Sequence, residues 1–152
     1  MIIENDFTVA ANPEDVWNYL LDTKSLAGCL PGCEEVEYLG DDVYRAVAAV
    51  QIAFMKLKFK LNVKITDMTA PVEMVSEIDG KPLSLVGQLK VKAKLNLTEI
   101  NENETQIKYH MDMSLAGKLG SLGQSAFRSK ATEMGGEFAE NIKKALECTQ
   151  IG

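Results

Sequence analysis

The sequence lacks any apolar segment long enough to cross a membrane. A transmembrane helix needs a run of about 18 to 20 apolar residues, and a lysine or a glutamate interrupts every candidate. The first residues, MIIENDFTVA, carry acids where a secretory signal carries basic residues. We therefore expect a cytoplasmic protein.

Cysteine and histidine are also scarce, with three cysteines and one histidine in 152 residues. An odd cysteine count without a signal peptide favours reduced thiols over a disulfide framework. Cys29 and Cys33 are spaced as C-x₃-C, but a zinc site needs about four ligands, and no second cysteine or histidine pair accompanies them. A redox role needs a thiol of lowered pKa, for which Lys24 is the one nearby positive charge. We favour structural thiols and predict no metal and no cofactor.

The balance of charges excludes one class of partner. Acids outnumber bases by 22 to 16, which gives a net charge of −6, whereas nucleic-acid binding needs a basic surface for the phosphates. We therefore do not expect nucleic acid as a partner. Apolar residues make up 46% and charged residues 25%, as in folded globular proteins. The length suits a single domain, predicted to span residues 1–152.

The spacing of apolar residues predicts an α+β fold. Apolar and polar residues alternate with period two over most of the chain, as in strands. Helical spacing of apolar residues begins after Asn12-Pro13, a typical cap and first residue of a helix, and returns after residue 117. The predicted strands are 2–10, 33–39, 43–52, 57–66, 72–79, 85–98 and 105–115, with short helices at 13–21 and 23–29 and a long helix at 118–148. Short links favour antiparallel pairing, and one turn is expected at Asp79-Gly80.

Strand alternation divides the predicted sheet into an inner apolar face and an outer polar face. The parity places Tyr44, Ala46, Ala48, Val50, Met74, Ile78, Tyr109, Met111 and Met113 inside, and His110 outside. An enzyme pocket needs convergent acids, bases or nucleophiles, and the inner face offers only Ser76, tyrosines and a thiol. Catalysis is therefore disfavoured. The alternative is a cyclase-like or hydratase-like enzyme that uses Tyr44 or Tyr109 as an acid.

Small residues are frequent on both sides of the predicted interior. They are Ala46, Ala48, Gly87 and Ala93 on the sheet, and Gly117, Gly120 and Gly123 where the long helix is expected to begin. Small side chains either let two layers approach closely or leave a space between them, and both interpretations stay open. The same choice applies to Gly135-Gly136 inside the helix, which permits a bend or close packing. Four of the seven methionines, at positions 55, 111, 113 and 134, suit an adaptable pocket or a filled core.

Lysines collect on the outer face in two segments, with four between Lys56 and Lys64 and four between Lys81 and Lys94. If the two strands are close, these lysines form a basic patch for an acidic protein or an anionic membrane. The contacts would then be made by Lys58, Lys60, Lys90 and Lys92. The simpler interpretation is a solvated face that discourages edge pairing.

Four segments, residues 7–10, 16–22, 26–34 and 40–44, match one known family closely, with looser similarity over 85–113 and 119–124. The most specific part is Cys29-Leu30-Pro31-Gly32-Cys33. Through these segments the sequence resembles the carbon monoxide dehydrogenase G-subunit family. The resemblance implies a START-like, helix-grip domain of the polyketide cyclase and lipid-transfer superfamily. Such a domain has a curved seven-stranded antiparallel sheet wrapped around a long C-terminal helix, two short helices after the first strand, and a deep apolar cavity.

The resemblance also implies a role. Family members accompany molybdenum hydroxylases of the carbon monoxide dehydrogenase type, as accessory proteins for membrane recruitment or for handling a lipophilic electron acceptor such as a quinone. Some members continue into a membrane-anchoring segment, whereas this sequence ends at Gly152. We therefore expect no permanent anchor and at most a peripheral contact at the inner face of the membrane.

These observations together predict a non-catalytic accessory or carrier protein that binds a quinone-like or lipid-like molecule. The alternative is a module that docks on the oxidoreductase or on the membrane without a ligand. The predicted cavity lining, whose strand members follow from the face assignment, is Leu30, Ala48, Phe54, Leu57, Phe59, Leu85, Leu89, Met111, Met113, Leu119, Leu122 and Phe127.

Overall fold

Seven strands and three α-helices form the part of the chain described by the structure, a computed structural model that covers residues 1–151, with side chains described for residues 1–147. The strands are β1 (Ile2–Val9), β2 (Cys33–Gly40), β3 (Val43–Ile52), β4 (Met55–Thr69), β5 (Glu73–Pro82), β6 (Gly87–Asn101) and β7 (Glu104–Gly117). The helices are α1 (Pro13–Leu21), α2 (Thr23–Cys29) and α3 (Gln124–Ile151), and a 3₁₀ turn at Gly120–Leu122 precedes α3.

All strands belong to one antiparallel sheet in the order β1-β7-β6-β5-β4-β3-β2. Consecutive strands from β2 to β7 are neighbours, as their short links favour. β1 joins the far side of β7, so the two short helices carry the chain from one edge of the sheet to the other. The predicted α+β fold is confirmed.

The sheet curves around the beginning of α3. Arg128 Nη1 donates a hydrogen bond to the carbonyl oxygen of Ile2 in β1, at 2.9 Å. The preceding residue, Phe127, lies in one buried cluster with Phe59 of β4. In a flat sheet β1 and β4 would be about 19 Å apart. Neighbouring residues of one helix reach both strands because the sheet bends around them.

Side-chain caps begin the two short helices. Asn12 accepts a hydrogen bond from the backbone N–H of Asp15 at 2.9 Å, and Pro13 is the first residue of α1. Asp22 caps α2 in the same way through the N–H of Ser25, at 3.1 Å. These caps accept hydrogen bonds from backbone N–H groups that have no partner within the helix. Helices α1 and α2 cover one end of the sheet.

Two predictions of element boundaries are wrong. Asp79-Gly80 lies inside β5 and is not a turn. The glycine is needed in the strand because side chains of the neighbouring strands occupy the space that a Cβ would take. A Cβ at this position would lie 2.7 Å from Leu61 Cδ2 of β4 and 3.4 Å from the Leu89 side chain of β6. The long helix begins at Gln124 and not at residue 118, because the preceding residues form the 3₁₀ turn and Gly123 has φ +94°.

Candidate functional site

Fourteen of the twenty described buried apolar residues form two clusters near the two ends of α3, and the other six, among them Ile3 and Val91 on the inner face, belong to neither cluster. The capped-end cluster, under α1 and the C-terminal half of α3, contains Val9, Ala11, Val16, Trp17, Leu20, Leu97, Ile107, Ile142 and Leu146. The hairpin-end cluster, under the start of α3, contains Ile52, Leu57, Phe59, Leu119 and Phe127. The helix is thus fixed to the sheet by apolar packing near both of its ends.

Between the two clusters lies a stretch of inner face that we call the middle zone. It is formed by Val63, Ile78, Met111 and Met113 on the sheet and by Met134 on α3, all half-buried and packed in neither cluster. The register places the sheet residues together, because Val63 pairs with Ile78, and Met113 and Ile78 flank Val91 from its two sides. Apolar side chains in the middle zone therefore face the helix layer while water still reaches them.

Removing apolar surface from water contributes roughly 25 cal/mol per Å². An apolar molecule seated on the middle zone would gain this stabilisation.

Tyr109 brings a hydroxyl group to the side of the middle zone. Its Oη accepts a hydrogen bond from Asn5 Nδ2 at 3.4 Å, and its ring meets the ring of Phe138 edge-on with centroids 6.4 Å apart. The helix comes close at Gly135, where a Cβ would overlap Tyr109 Oη. Within residues 1–147, no acceptor forms a hydrogen bond with the Tyr109 hydroxyl.

The other interior polar groups also offer little for acid–base catalysis. Burial raises the pKa of Tyr44, and Tyr38 and Asp42 add to this effect, so the phenol stays protonated at neutral pH. Among the residues with described side chains, the one buried polar group is Thr105, whose Oγ1 donates to the carbonyl oxygen of Ala11 at 2.7 Å. No described aspartate, glutamate or histidine is buried.

The two described cysteines are free thiols beside the sheet edge. Cys29 is 1% exposed, its Sγ donates to the carbonyl oxygen of Leu26 at 3.4 Å, and burial raises its pKa to about 11. Burial also raises the pKa of Cys33. Raised thiol pKa values reduce nucleophilicity and metal affinity. The described residues contain no group of cysteine, histidine and acidic side chains able to hold a metal ion.

The loop from α2 to β2 is fastened to both α3 and β3 by hydrogen bonds. Asn141 Nδ2 of α3 donates to the carbonyl oxygen of Cys29 at 3.1 Å, and the N–H of Ala49 in β3 donates to the carbonyl oxygen of Gly32 at 2.8 Å. Gly32 has φ +75°, a conformation that favours glycine. Leu30 therefore lies in a segment that is fastened to α3 at Cys29 and to β3 at Gly32.

The predicted lining residues fall into separate places. Seven belong to the hairpin-end cluster or pack against it, namely Leu57, Phe59, Leu85, Leu89, Leu119, Leu122 and Phe127. Met111 and Met113 lie in the middle zone, whereas Ala48 on β3 and Leu30 at the end of α2 are half-buried outside both clusters. The prediction for Phe54 is wrong. Its side chain is 100% exposed, because the residue lies in the turn between β3 and β4.

Sequence reasoning missed the contacts that position α3. The close approach of Gly135 to Tyr109 and the bond from Asn141 to Cys29 join residues distant in sequence. Neither contact leaves a periodic pattern. The glycine pair at 135–136 was the one available signal, and it permitted a bend as well as close packing.

Two surface depressions lie outside the middle zone. One of about 330 Å³ is lined by Ala49, Val50, Gln51, Lys56, Leu57 and Lys58. The other, of about 530 Å³, is lined by Gln124, Ser125, Arg128, Ser129 and Thr132. Both are open to solvent and neither includes a residue of the middle zone, which is defined by its half-buried side chains.

The lysine-rich strands do not form a continuous basic patch. β5 lies between β4 and β6, and it pairs Glu77 with Lys64 and Lys92, and Asp79 with Lys90. On the β2 side, Lys58 Nζ lies 3.1 Å from Glu34 Oε2. Acids therefore lie opposite several of these lysines, as expected for stabilising cross-strand pairs, although Lys60 lies opposite Lys81. Membrane contact through Lys58, Lys60, Lys90 and Lys92 stays a prediction.

Comparisons with known proteins agree on one family and one fold. The family model for the carbon monoxide dehydrogenase G-subunit (CoxG) matches residues 6–147. No significant match was found among proteins of curated function. None of the helices in the described part of the chain is long and apolar enough to span a membrane.

Several solved structures are similar over nearly the whole chain. A conserved protein from Geobacillus kaustophilus is 26% identical, with a TM-score of 0.89 over 98% of this chain and 97% of that chain. A START superfamily protein from Mycobacterium smegmatis is 10% identical, with a TM-score of 0.77 over 97% and 98%. The Zhui aromatase/cyclase from Streptomyces sp. R1128 is 16% identical, with a TM-score of 0.74 over 97% and 93%. The last two show that the fold is START-like.

Proposed function

The chain belongs to the carbon monoxide dehydrogenase G-subunit (CoxG) family, and from this premise we propose that it is a non-catalytic accessory protein that binds a lipophilic small molecule between its sheet and α3. The ligand is quinone-like or lipid-like. The partner is a molybdenum hydroxylase of the carbon monoxide dehydrogenase type, which the family name supports. The observation that carries the binding proposal is the middle zone.

The division of the core makes room for a ligand without loss of the fold. Apolar packing at the two ends of α3 holds the helix over the sheet. Neither cluster includes a side chain of the middle zone, so a guest there would contact residues that the two clusters do not use. Met111, Met113 and Met134 have flexible, polarizable side chains that adapt to guests of different shape.

The polar groups beside the middle zone are better suited to orienting a bound ligand than to catalysing a reaction on it. Tyr109 keeps a hydroxyl proton available for a carbonyl or hydroxyl oxygen of a guest. General acid–base catalysis needs a base within reach as well as an acid, and the described interior contains no buried carboxylate or histidine. The START-like fold is shared with an aromatase/cyclase, but fold alone does not carry activity.

The most direct test is native mass spectrometry of the purified protein, followed by lipid extraction after denaturation. We expect a co-purified apolar molecule, or saturable binding of an added quinone or fatty acid. A protein that carries no such molecule and refuses both ligands would contradict the proposal.

A matched pair of variants locates the site. Ala93→Phe adds a ring on the inner face of β6 beside Met111, its cross-strand partner in the middle zone, whereas Ala49→Phe adds the same ring at an exposed position of β3. We expect Ala93→Phe to weaken ligand binding at least about tenfold by occupying the space and Ala49→Phe to leave it unchanged. Thermal unfolding of both variants checks that they fold. Equal effects of the two variants on binding would place the ligand elsewhere.

A further inference from the structure

β2 is the outermost strand on one side of the sheet, and no strand of the described chain pairs with its outer edge. In an antiparallel ladder, successive residues alternate between bonding one neighbouring strand and facing the other way. The N–H of Ala49 donates to the carbonyl oxygen of Gly32, so the odd-numbered residues of β3 bond the β2 side. The register pairs two of these residues with Glu35 and Glu37, which therefore bond β3.

The same alternation turns the backbone N–H and C=O groups of Val36 and Tyr38 towards the open edge. Within the described chain, neither backbone forms a hydrogen bond to a group outside the sheet. A row of unpaired backbone groups is a template for another strand. The Tyr38 side chain is 49% exposed, and its ring centroid lies 4.9 Å from that of Tyr44. The edge therefore offers main-chain hydrogen bonds together with an exposed aromatic surface.

Acids line this edge of the sheet. The segment 33–45 has a single base, Arg45, and five acids, namely Glu34, Glu35, Glu37, Asp41 and Asp42. Lys58 Nζ lies 3.1 Å from Glu34, and Arg45 lies opposite Glu37 in the register. Among the described side chains, none forms an ion pair with Glu35 or Glu37. Even with Lys58 counted, five acids face two bases at this edge.

From this arrangement we propose that the open edge of β2 binds an extended segment of a partner protein in which basic and apolar residues alternate. Side chains of an added strand point alternately to the two faces of the sheet. Those beside Glu35 and Glu37, on the outer face, are lysine or arginine, and those beside Val36 and Tyr38, on the inner face, are apolar. Main-chain hydrogen bonds supply the affinity, and the charges select the partner.

The charges exclude other occupants of the edge. A second copy that placed its β2 against this β2 would bring acids opposite acids, which is destabilising. The other free edge of a second copy, β1, carries Glu4 and Asp6 and no base. Anionic lipids and nucleic acids would be repelled in the same way. The occupant is therefore a different protein with a basic extended segment.

β1 offers a matched control edge. By the same alternation, the backbone groups of Glu4 and Asp6 face outward. Unlike β2, this edge is covered at one end, where Arg128 Nη1 donates to the carbonyl oxygen of Ile2 at 2.9 Å. Glu4 Oε1 also lies 2.8 Å from Nδ1 of His110. A basic segment is therefore expected to bind β2 in preference to β1.

Protection of the edge is the alternative that the test must separate from binding. Register shifts lie at both ends of β2, between Cys33 and Glu35 and between Tyr38 and Gly40. Bulges and charged side chains also keep free edges from aggregating. An edge built only for protection would refuse every added strand, whatever its charge.

The test is fluorescence anisotropy of the full chain with a labelled peptide of about ten residues in which lysine and valine alternate. We expect saturable binding that weakens with added salt, and no binding of the matched peptide of alternating glutamate and valine. The double variant Glu35→Lys, Glu37→Lys should weaken binding of the lysine peptide roughly tenfold or more. The same variant should bind the glutamate peptide.

A backbone readout distinguishes strand addition from attraction between charges alone. Val36→Pro removes an N–H that faces the open edge and should weaken peptide binding roughly tenfold or more. Asp6→Pro makes the same change on the β1 edge, where proline is tolerated, and should leave binding unchanged. In hydrogen exchange measured by NMR, the lysine peptide should slow the amides of Val36 and Tyr38 and leave those of Glu4 and Asp6 unchanged.

Several outcomes would overturn the proposal. They are absence of saturable binding, binding that the charge reversal leaves intact, slowed exchange at other amides only, and dimerisation that Val36→Pro abolishes. Thermal unfolding checks that each variant folds, and the exchange pattern of the unmodified protein decides the question without any variant. The peptide assay needs no ligand in the middle zone, so failure of this proposal and failure of ligand binding are distinguishable.

Discussion

Replacing Gly135 and Gly136 by alanine should have opposite effects on stability, although the two residues are neighbours in α3. A Cβ at Gly136 would meet nothing within 4 Å. Alanine is favoured over glycine in a helix interior by about 1 kcal/mol, so Gly136→Ala should stabilise the protein by about that amount. A Cβ at Gly135 would instead overlap the hydroxyl oxygen of Tyr109.

The cost at Gly135 follows from what Tyr109 must give up when it moves. Its hydrogen bond with Asn5 contributes about 0.5–1.5 kcal/mol, and its edge-on contact with Phe138 about 0.5–1.5 kcal/mol. Against the helix gain of about 1 kcal/mol, Gly135→Ala should destabilise the protein by roughly 1 kcal/mol. The two alanine variants should therefore differ by about 2 kcal/mol, which is on the order of 5 °C in Tm for a chain of this length.

Urea and thermal unfolding of the two variants measure this difference directly. In a Tyr109→Phe background the overlapping oxygen is absent, so Gly135→Ala should become stabilising by about 1 kcal/mol, as Gly136→Ala is. If both alanine variants shift Tm equally with Tyr109 present, α3 does not approach β7 at Gly135 and the reasoning is wrong.

Two further predictions concern the segment from α2 to β2. Gly32→Ala should lower the free energy of unfolding by about 1–3 kcal/mol, because φ is +75° and a Cβ would overlap the backbone of β3. The control Gly28→Ala should not lower it, since a Cβ there would meet nothing within 4 Å. Equal unfolding midpoints of the two variants would contradict this prediction. At pH 8, iodoacetamide should modify Cys33 well before Cys29, because burial holds the pKa of Cys29 at about 11. Peptide mass spectrometry measures the order of modification. The reverse order would show that Cys29 is accessible. Because the folded-state pKa of Cys29 is raised, its contribution to stability is present below about pH 9 and is lost as the pH rises towards 11, so Tm should fall less over this range in Cys29→Ala than in the unmodified protein.

Features that depend on a few neighbouring residues were predictable from the sequence. The Asn12 cap is local, and it forms as expected. Strand alternation assigns faces whichever strand is the neighbour, so Leu57 and Phe59 are buried while Lys58 is exposed. The long helix was predicted from its apolar spacing, although its start was not.

Features that depend on which strands meet were not predictable in the same way. Gly80 reads as a turn residue in isolation, and only the proximity of Leu61 and Leu89 shows why a glycine lies in the strand. The lysine rows suggested a patch until the strand order placed Glu77 between them. Which inner residues are fully buried and which remain half-buried depends on how α3 crosses the sheet. No periodic pattern in the sequence indicates the path of α3 across the sheet.

The placement of the core at the two ends of α3 has a consequence for how the protein can diverge. Substitutions at Val63, Ile78 or Met113 remove no contact of either buried cluster, so they change the shape of the middle zone at small cost in folding free energy. If the protein binds a ligand there as proposed, mutational drift can alter which ligand is accepted while the fold stays above its stability threshold. Related proteins with the same scaffold are therefore expected to differ most at these central positions and least at residues such as Trp17 and Leu119.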